Sequence, residues 1–192
     1  FVYAGLLPFT FFQNGVNQAG LSLINQQNLL TKIYFPRLFV PTASIGAGLV
    51  DMSISFGVYA IVLASYHFAP SWGVVFVPGL ILLTIMVTLG LGYTLAALTV
   101  TYRDFRYVIP FMMQIIMYAS PVVFPVTLVP ARYRWILALN PLTGIIDGYR
   151  SAILGQPWHL PTLGISIVST IVLFTFGLFY FRKTERRFAD IA

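Results

Sequence analysis

The 192-residue chain is 58% hydrophobic, only 8% of its residues are charged, and its formal net charge is +6 at pH 7. A soluble domain has about a quarter of its residues charged, and ionisable groups are costly in hydrocarbon, so this composition indicates an integral membrane protein. The apolar runs are long and continuous, which favours helices over an outer-membrane barrel. The chain has no cysteine, which excludes disulfides and thiolate metal sites.

Long uncharged runs predict an all-α membrane protein, a polytopic bundle with five spans in this sequence. No charge occurs in residues 1–31, 107–131 or 151–181, and Asp51 is the only charge in residues 38–102. A spanning helix needs about 20 mostly apolar residues. We therefore predict spans at about 1–23, 41–66, 73–100, 107–124 and 161–181.

Basic residues predict the orientation of these spans. Three basic clusters follow the first, third and fifth predicted spans: Lys32 and Arg37; Arg103 and Arg106; and Arg182, Lys183, Arg186 and Arg187. The positive-inside rule places all three clusters, and with them the C-terminus, in the cytoplasm. Phe1 then starts on the outer side, in the middle of an apolar run, so we expect a sixth span upstream of it.

Residues 28–41, NLLTKIYFPRLFVP, form a polar interruption between the first two spans. Asn28 can cap a short helix, and Pro36 would end it because proline lacks the N–H that the next turn needs. Leu29, Leu30, Ile33 and Tyr34 would fall on one face of that helix. A short amphipathic element with a basic end suits docking to a partner at the membrane surface. TYRDFRYVIP, residues 101–110, is a second cytoplasmic turn, where Asp104 can pair with a neighbouring arginine.

Residues 124–160 are apolar although the predicted topology places them outside. Asn140 followed by Pro141 predicts a helix start, and Gly155 predicts its end. One stripe of this helix is apolar and the other is polar: Leu142, Ile145, Ile146, Tyr149 and Ile153; and Thr143, Asp147 and Arg150. The pieces are too short to span, so we predict an external re-entrant or interfacial hairpin.

The sequence contains little that could perform catalysis. A P-loop needs a glycine directly before its lysine, whereas Lys32 follows Thr31 and Lys183 follows Arg182. This chain is therefore not predicted to hydrolyse ATP by that route. His67 and His159 lie near external helix ends, and we interpret them as interfacial residues rather than as a metal pair, because no carboxylate accompanies either of them in the sequence.

Asp51 lies about ten residues into the second span, roughly 15 Å deep, where an ionisable group is a candidate functional residue. The alternative is a buried acid that amides satisfy, with Gln13, Asn14 and Gln114 as candidate partners. Among the aromatic residues, Tyr59, Phe111 and Tyr118 are predicted to lie deep in the membrane. They could line a path on which sugar rings stack, or they could simply pack between helices.

Five segments together resemble the membrane subunit of ABC-2-type polysaccharide exporters. They occur in the same order as in that family: GLLPFTFF, NLLTKIYFPRLFVP, TYRDFRYVIPF, YASPVVFP and NPLTGIIDGYRSAILG. Members of the family export O-antigen, capsular or teichoic-acid polymers. The resemblance covers nearly the whole chain, and its more specific parts are the YFPR and NP…GYR…G segments.

The resemblance implies a permease that lies in the bacterial inner membrane and acts as a homodimer with two ATPase subunits, which bind ATP and Mg. It also implies that residues 1–192 are one transmembrane domain without the family's N-terminal amphipathic helix and first span. The residues expected to couple to the ATPase are Asn28, Leu29, Leu30, Thr31, Lys32, Ile33, Tyr34, Phe35, Pro36, Arg37, Arg103, Asp104, Phe105 and Arg106. The candidates for the channel or its exit are Tyr59, Phe111, Tyr118, Asn140, Asp147 and Arg150.

The expected function is ATP-driven export of a lipid-linked polysaccharide. Three alternatives remain open from the residues. An ABC-2 exporter of a drug or small lipid would share the coupling segment. An ion-coupled secondary transporter would use Asp51. A membrane-embedded transferase would need acids or histidines that converge at one membrane face.

Overall fold

The computed structural model describes residues 1–26, 36–67, 71–130, 132 and 134–185. These residues form helices and their connections, with no strand among them, so the predicted all-α class is confirmed. The helices are α1 (Val2–Asn25), α2 (Phe39–Ser65), α3 (Val77–Thr101), α4 (Phe105–Ala119), α5 (Arg134–Leu139), α6 (Pro141–Leu154) and α7 (Leu160–Glu185). A 3₁₀ turn, Trp72–Phe76, leads into α3, and a second, Val126–Leu128, lies beyond α4.

Three helices in the described part are long and apolar enough to cross a membrane. They are α2, the continuous helix Trp72–Thr101 that contains α3, and α7, which agree with the predicted second, third and fifth spans. Helix α4 has 15 residues, about 22 Å at the rise of an α-helix, against a hydrocarbon thickness of about 30 Å. Helix α1 has 24 residues, but amides interrupt its apolar sequence. The first and fourth spans stay predictions.

Helices α1 and α3 form the centre of the bundle. Helix α1 packs against α2, α3, α4 and α6, and α3 packs against α1, α2, α4, α6 and α7. Glycines permit this packing: a Cβ on Gly15 would lie 2.6 Å from Thr88 Cγ2 in α3, and one on Gly20 would lie 2.6 Å from Ile109 Cδ1 in α4. The α3–α7 crossing is tighter still, since a Cβ on Gly177 would overlap the carbonyl oxygen of Gly90. Small residues at helix crossings are the usual basis of packing in membranes.

Helix α6 has the predicted bounds. The Asn140 side chain accepts a hydrogen bond from the Leu142 amide at 3.0 Å, Pro141 occupies the first turn, and Gly155 ends the helix at φ +68°. All residues from Leu142 to Ile153 are buried, so the apolar and polar stripes are equally enclosed. The reason is that α6 packs against α1, α3, α7 and the first 3₁₀ turn.

Candidate translocation site

Polar side chains lie on the exposed side of α1, the helix of the first predicted span. Thr10, Asn14 and Gln18, which we call the amide stripe, are all exposed in the described chain. Their spacing of four residues places them on one face of the helix. Polar amides in spanning helices face other helices or a watery cavity rather than lipid. If α1 spans the membrane, as predicted, this face is not a lipid-facing surface.

A groove of about 230 Å³ extends this polar surface onto α2. Its lining combines two helices: Tyr3, Leu6, Leu7, Thr10, Phe11 and Asn14 of α1, and Gly48, Asp51, Met52 and Ser55 of α2. Asp51 is exposed, which does not fit an acid buried within the subunit. Of the three amides proposed as its partners, Asn14 lines the groove, whereas Gln13 and Gln114 are not part of the lining.

Helix α4 presents a second unusual surface. Tyr107, Phe111 and Tyr118 are 69%, 65% and 75% exposed, and Gln114 is exposed between them. The spacing of four, three and four residues places the four side chains on one face, which we call the aromatic face. Ile109 and Met113 lie on the buried side of the helix. Phe111 and Tyr118 thus point away from the subunit core, as a lining role requires.

Tyr59 does not join the aromatic face. It is 5% exposed, and its ring centroid lies 5.1 Å from that of Tyr3, in the packing between α2 and α1. Its hydroxyl has no hydrogen-bond partner among the described residues. The structure therefore separates the three deep aromatic candidates into a buried one on α2 and two exposed ones on α4.

The polar residues of α6 make contacts inside the subunit. Asn140 Nδ2 donates a hydrogen bond to Ser120 Oγ at 2.8 Å. Arg150 is 0% exposed and donates from Nη2 to the Val122 carbonyl at 2.6 Å and from Nη1 to the Phe124 carbonyl at 3.4 Å. Its guanidinium also lies 3.9 Å from the centroid of the Phe1 ring.

Asp147 and His159 form a hydrogen-bonded pair across the turn between α6 and α7. His159 Nδ1 lies 2.8 Å from Asp147 Oδ2, with side-chain exposures of 44% and 12%. The expectation that no carboxylate accompanies His159 was wrong, because the turn after Gly155 brings residues twelve positions apart together. Burial lowers the pKa of the Arg150 guanidinium, and the charge of Asp147 raises it. The Asp147 carboxylate therefore contacts His159 and acts on Arg150 through its charge.

The structure describes only some of the residues expected to couple to the ATPase. Asn28, Leu29, Leu30, Thr31, Lys32, Ile33, Tyr34 and Phe35 lie outside the described residues. The Arg37 amide donates a hydrogen bond to Glu185 Oε1 at 3.3 Å, which joins the start of α2 to the end of α7. In the second turn, Arg106 donates to the Tyr107 hydroxyl at 2.7 Å. Asp104, expected to pair with an arginine, makes no ion pair within the described ranges.

The family model described as "ABC-2 type transporter" matches residues 1–154. The chain belongs to the ABC-2 type transporter family. Among similar proteins, the O-antigen export system permease protein RfbA of Myxococcus xanthus is 27% identical over 189 residues, which cover 96% of this chain and 73% of that protein. A protein of the same name from Klebsiella pneumoniae is 24% identical over 195 residues, covering 100% of this chain and 74% of the relative. The predicted family is confirmed, and the chain is a membrane-embedded transport subunit.

Sequence reasoning missed several residues of this ABC-2 subunit. Tyr107 and Gln114 complete the aromatic face, and their spacing from Phe111 and Tyr118 was a usable signal. Ser120, Val122 and Glu185 gave no such signal. Val122 takes part through its backbone carbonyl, and the partners of Ser120 and Glu185 lie 20 and 148 residues away in the chain.

Proposed function

We propose that this subunit is the permease of an ATP-driven exporter that moves lipid-linked polysaccharide from the cytoplasm to the outer face of the bacterial inner membrane. The relatives named as O-antigen export permeases favour a substrate of O-antigen type. Capsular and teichoic-acid polymers belong to the same chemical class. In this proposal the C-terminus after α7 is cytoplasmic, as the basic residues Arg182 and Lys183 in its last turn indicate.

The observation that carries the proposal is the pair of exposed surfaces on α1 and α4, the helices of the first and fourth predicted spans. The amide stripe of α1 offers hydrogen-bond donors and acceptors, which sugar hydroxyls can use. The aromatic face of α4 offers rings on which sugars can stack. Contact of lipid tails with the amide stripe or with the Asp51 carboxylate would be energetically costly. A watery path between two copies of the subunit would cover both surfaces, which supports a homodimer.

The energy source in this proposal is a separate ATPase, present in two copies, which binds ATP and Mg. Neither lysine of this sequence follows a glycine, as a P-loop requires. We propose that closure of the ATPase pushes on residues 28–37, the coupling segment, and on the turn at residues 103–106. The hydrogen bond between the Arg37 amide and Glu185 would carry part of that movement to α7.

Charge reversal in the coupling segment tests the partner. In the full-length protein, Lys32→Glu with Arg37→Glu should abolish co-purification of the ATPase subunit, because a basic surface would become acidic. The matched control is Arg132→Glu, an exposed arginine on the predicted external side, which should leave co-purification unchanged. Unchanged association of the Lys32/Arg37 variant would contradict the coupling proposal.

A second candidate function rests on Asp51. Because this carboxylate is exposed in the groove between α1 and α2, a proton-coupled transporter could use it. Asp51→Asn should leave ATP-dependent export intact if the carboxylate only lines the groove. Export that persists without the ATPase, depends on a proton gradient and is lost in Asp51→Asn would favour this second function.

A different measurement tests the alternative of a drug exporter. ATPase activity stimulated by glycan but not by amphiphilic drugs would exclude a drug exporter.

A further inference from the structure

The residues that follow α4 are held against the interior of the subunit. Residues 120–124, which we call the clasp segment, follow directly after Ala119, the last residue of α4. Ser120, Pro121 and Val122 are buried, whereas Tyr118 and Ala119 just before them are exposed. The segment therefore passes within one or two residues from an outward-facing helix to the interior of the subunit.

Both ends of the clasp segment are bonded to α6. Near the start of α6, Asn140 donates to Ser120 Oγ at 2.8 Å. Near the end of α6, Arg150 donates to the carbonyls of Val122 and Phe124 at 2.6 and 3.4 Å. Asn140 and Arg150 are ten positions apart, about 15 Å along a helix, so the clasp segment runs alongside α6.

Arg150 is suited to this position by its shape. Its guanidinium is a planar fork that can reach two carbonyls at once, which the single ammonium of lysine cannot reproduce. Gly5 of α1 provides the room, because a Cβ there would lie 2.8 Å from Arg150 Nη2 and 3.0 Å from the Val122 carbonyl oxygen. The bonds thus join α6 to the clasp segment, and α1 approaches both of them closely at Gly5.

We propose that Arg150 is a positioning residue that fastens the clasp segment to α6, so that the outer end of α4 and α6 move as one body during export. The proposal rests on the proposed function, since it assigns Arg150 a task in the export cycle. Arg150 has no exposed surface and directs both Nη atoms at backbone carbonyls. It therefore acts on the glycan path only through the placement of α4.

The first test compares Arg150→Lys with Arg150→Met in the full-length protein with its ATPase. Loss of the buried charge-assisted bonds should lower export by about tenfold or more in Arg150→Met. Arg150→Lys should recover part of that loss, because its ammonium can still reach one carbonyl. ATPase association should stay within about twofold of the wild type. Export in folded Arg150→Met equal to that of the wild type would overturn the proposal.

The second test does not depend on how Arg150 variants fold. The sequence contains no cysteine, so in an otherwise wild-type chain Ser120→Cys with Asn140→Cys can be joined as a disulfide by a small oxidising reagent, which the buried position of Ser120 requires. The same variant without reagent is the reference, so that effects of the substitutions themselves cancel. If the two parts move together, joining them leaves ATP-dependent export within about twofold of that reference. A reversible block of export on joining them would overturn the proposal.

Joining the same two cysteines in the Arg150→Met background gives a rescue test. The covalent link should replace the lost bonds and restore most of the export, which a general packing role of Arg150 does not predict. No rescue would contradict the positioning role. Export by the wild-type protein tests the proposed function separately. If the wild-type protein moves no glycan, the proposed function fails. The role of the clasp segment is then tested by comparing the ATPase rate of the joined protein with that of the unjoined protein.

Discussion

Helices α4 and α6 have nearly the same length, 15 and 14 residues, and opposite surroundings. Helix α6 buries every residue from Leu142 to Ile153, while α4 buries only Ile109 and Met113 within the described chain. Both carry polar and aromatic side chains. In α6, side-chain bonds within the subunit are made by Asp147, Tyr149, Arg150 and Ser151. In α4 the polar and aromatic side chains face outward. The comparison separates a helix that belongs to the interior from one that is largely exposed on the single subunit.

The difference follows from residue size. Gly144 and Gly148 let α6 approach its neighbours closely: a Cβ on Gly148 would lie 2.8 Å from Leu80 Cδ2 of α3. Helix α4 has no glycine and carries Pro110 in its interior. It therefore packs on one side only, and leaves the aromatic face available for a glycan or a second copy of the subunit. Four predictions test this contrast between α4 and α6.

The largest expected effect is on the packing of α6. In Gly144→Leu the new side chain would collide with Ser166 Oγ and approach the Thr162 carbonyl oxygen, 2.8 Å from the added Cβ. Overpacking of this kind should lower the free energy of unfolding by about 3 kcal/mol or more, measured by thermal unfolding in detergent. Gly164→Leu on α7 is the matched control, because a Cβ there meets open space. Equal stability of the two variants would contradict the account of α6.

On α4 the expected effect is functional. Phe111→Ala and Tyr118→Ala should each lower glycan export by about threefold to tenfold, the range for losing a stacking contact of about 0.5–1.5 kcal/mol. Their unfolding should shift little, because both side chains are exposed. Val168→Ala on α7, another exposed position in a span, should change neither quantity. Destabilised variants would show instead that the aromatic face packs within the subunit.

The starts of the two helices give a smaller effect. Asn140 caps α6 through its side chain, whereas Asp104 at the start of α4 makes no such bond. Asn140→Ala should therefore cost about 1 kcal/mol of folding stability, and Asp104→Ala less than about 0.5 kcal/mol. Chemical unfolding of both variants in the same detergent compares them directly. A larger loss in Asp104→Ala would reverse the expected order.

The smallest effect concerns one hydroxyl. The Tyr149 hydroxyl lies 3.3 Å from Thr84 Oγ1 in the core, and the residue is 0% exposed. Tyr149→Phe should cost about 0.5–1 kcal/mol. Tyr118→Phe, which removes an exposed hydroxyl from α4, should have no measurable effect on unfolding. Similar losses in the two variants would mean that α4 is held by contacts comparable to those of α6.

The sequence predicted those features that depend on neighbours in the chain. Asn140, Pro141 and Gly155 predicted the bounds of α6, because caps and helix stops are local chemistry. Long apolar runs, uncharged within the predicted spans except for Asp51 in α2, predicted the apolar spans α2, α3 and α7, because charge is costly in hydrocarbon. These signals can be read within about twenty residues.

Features that depend on distant contacts could not be predicted in this way. The amphipathic pattern of residues 142–153 does not show that both faces are covered. Arg150 bonds backbone carbonyls, which carry no side-chain signature. Asp147 meets His159 only because the turn after Gly155 folds back. The role of Asp51 stays a prediction, since the groove that it lines is open on the single subunit.

Reconstitution of the purified proteins would show whether the subunit exports a glycan with energy from ATP. Full-length protein and its ATPase subunit would be placed in lipid vesicles with a lipid-linked O-antigen chain, and glycan on the face opposite the ATPase would be measured. The account predicts that glycan reaches that face only when ATP, Mg and the ATPase subunit are all present. Glycan transfer driven by a proton gradient without the ATPase, or no transfer in a complete complex that hydrolyses ATP, would contradict it.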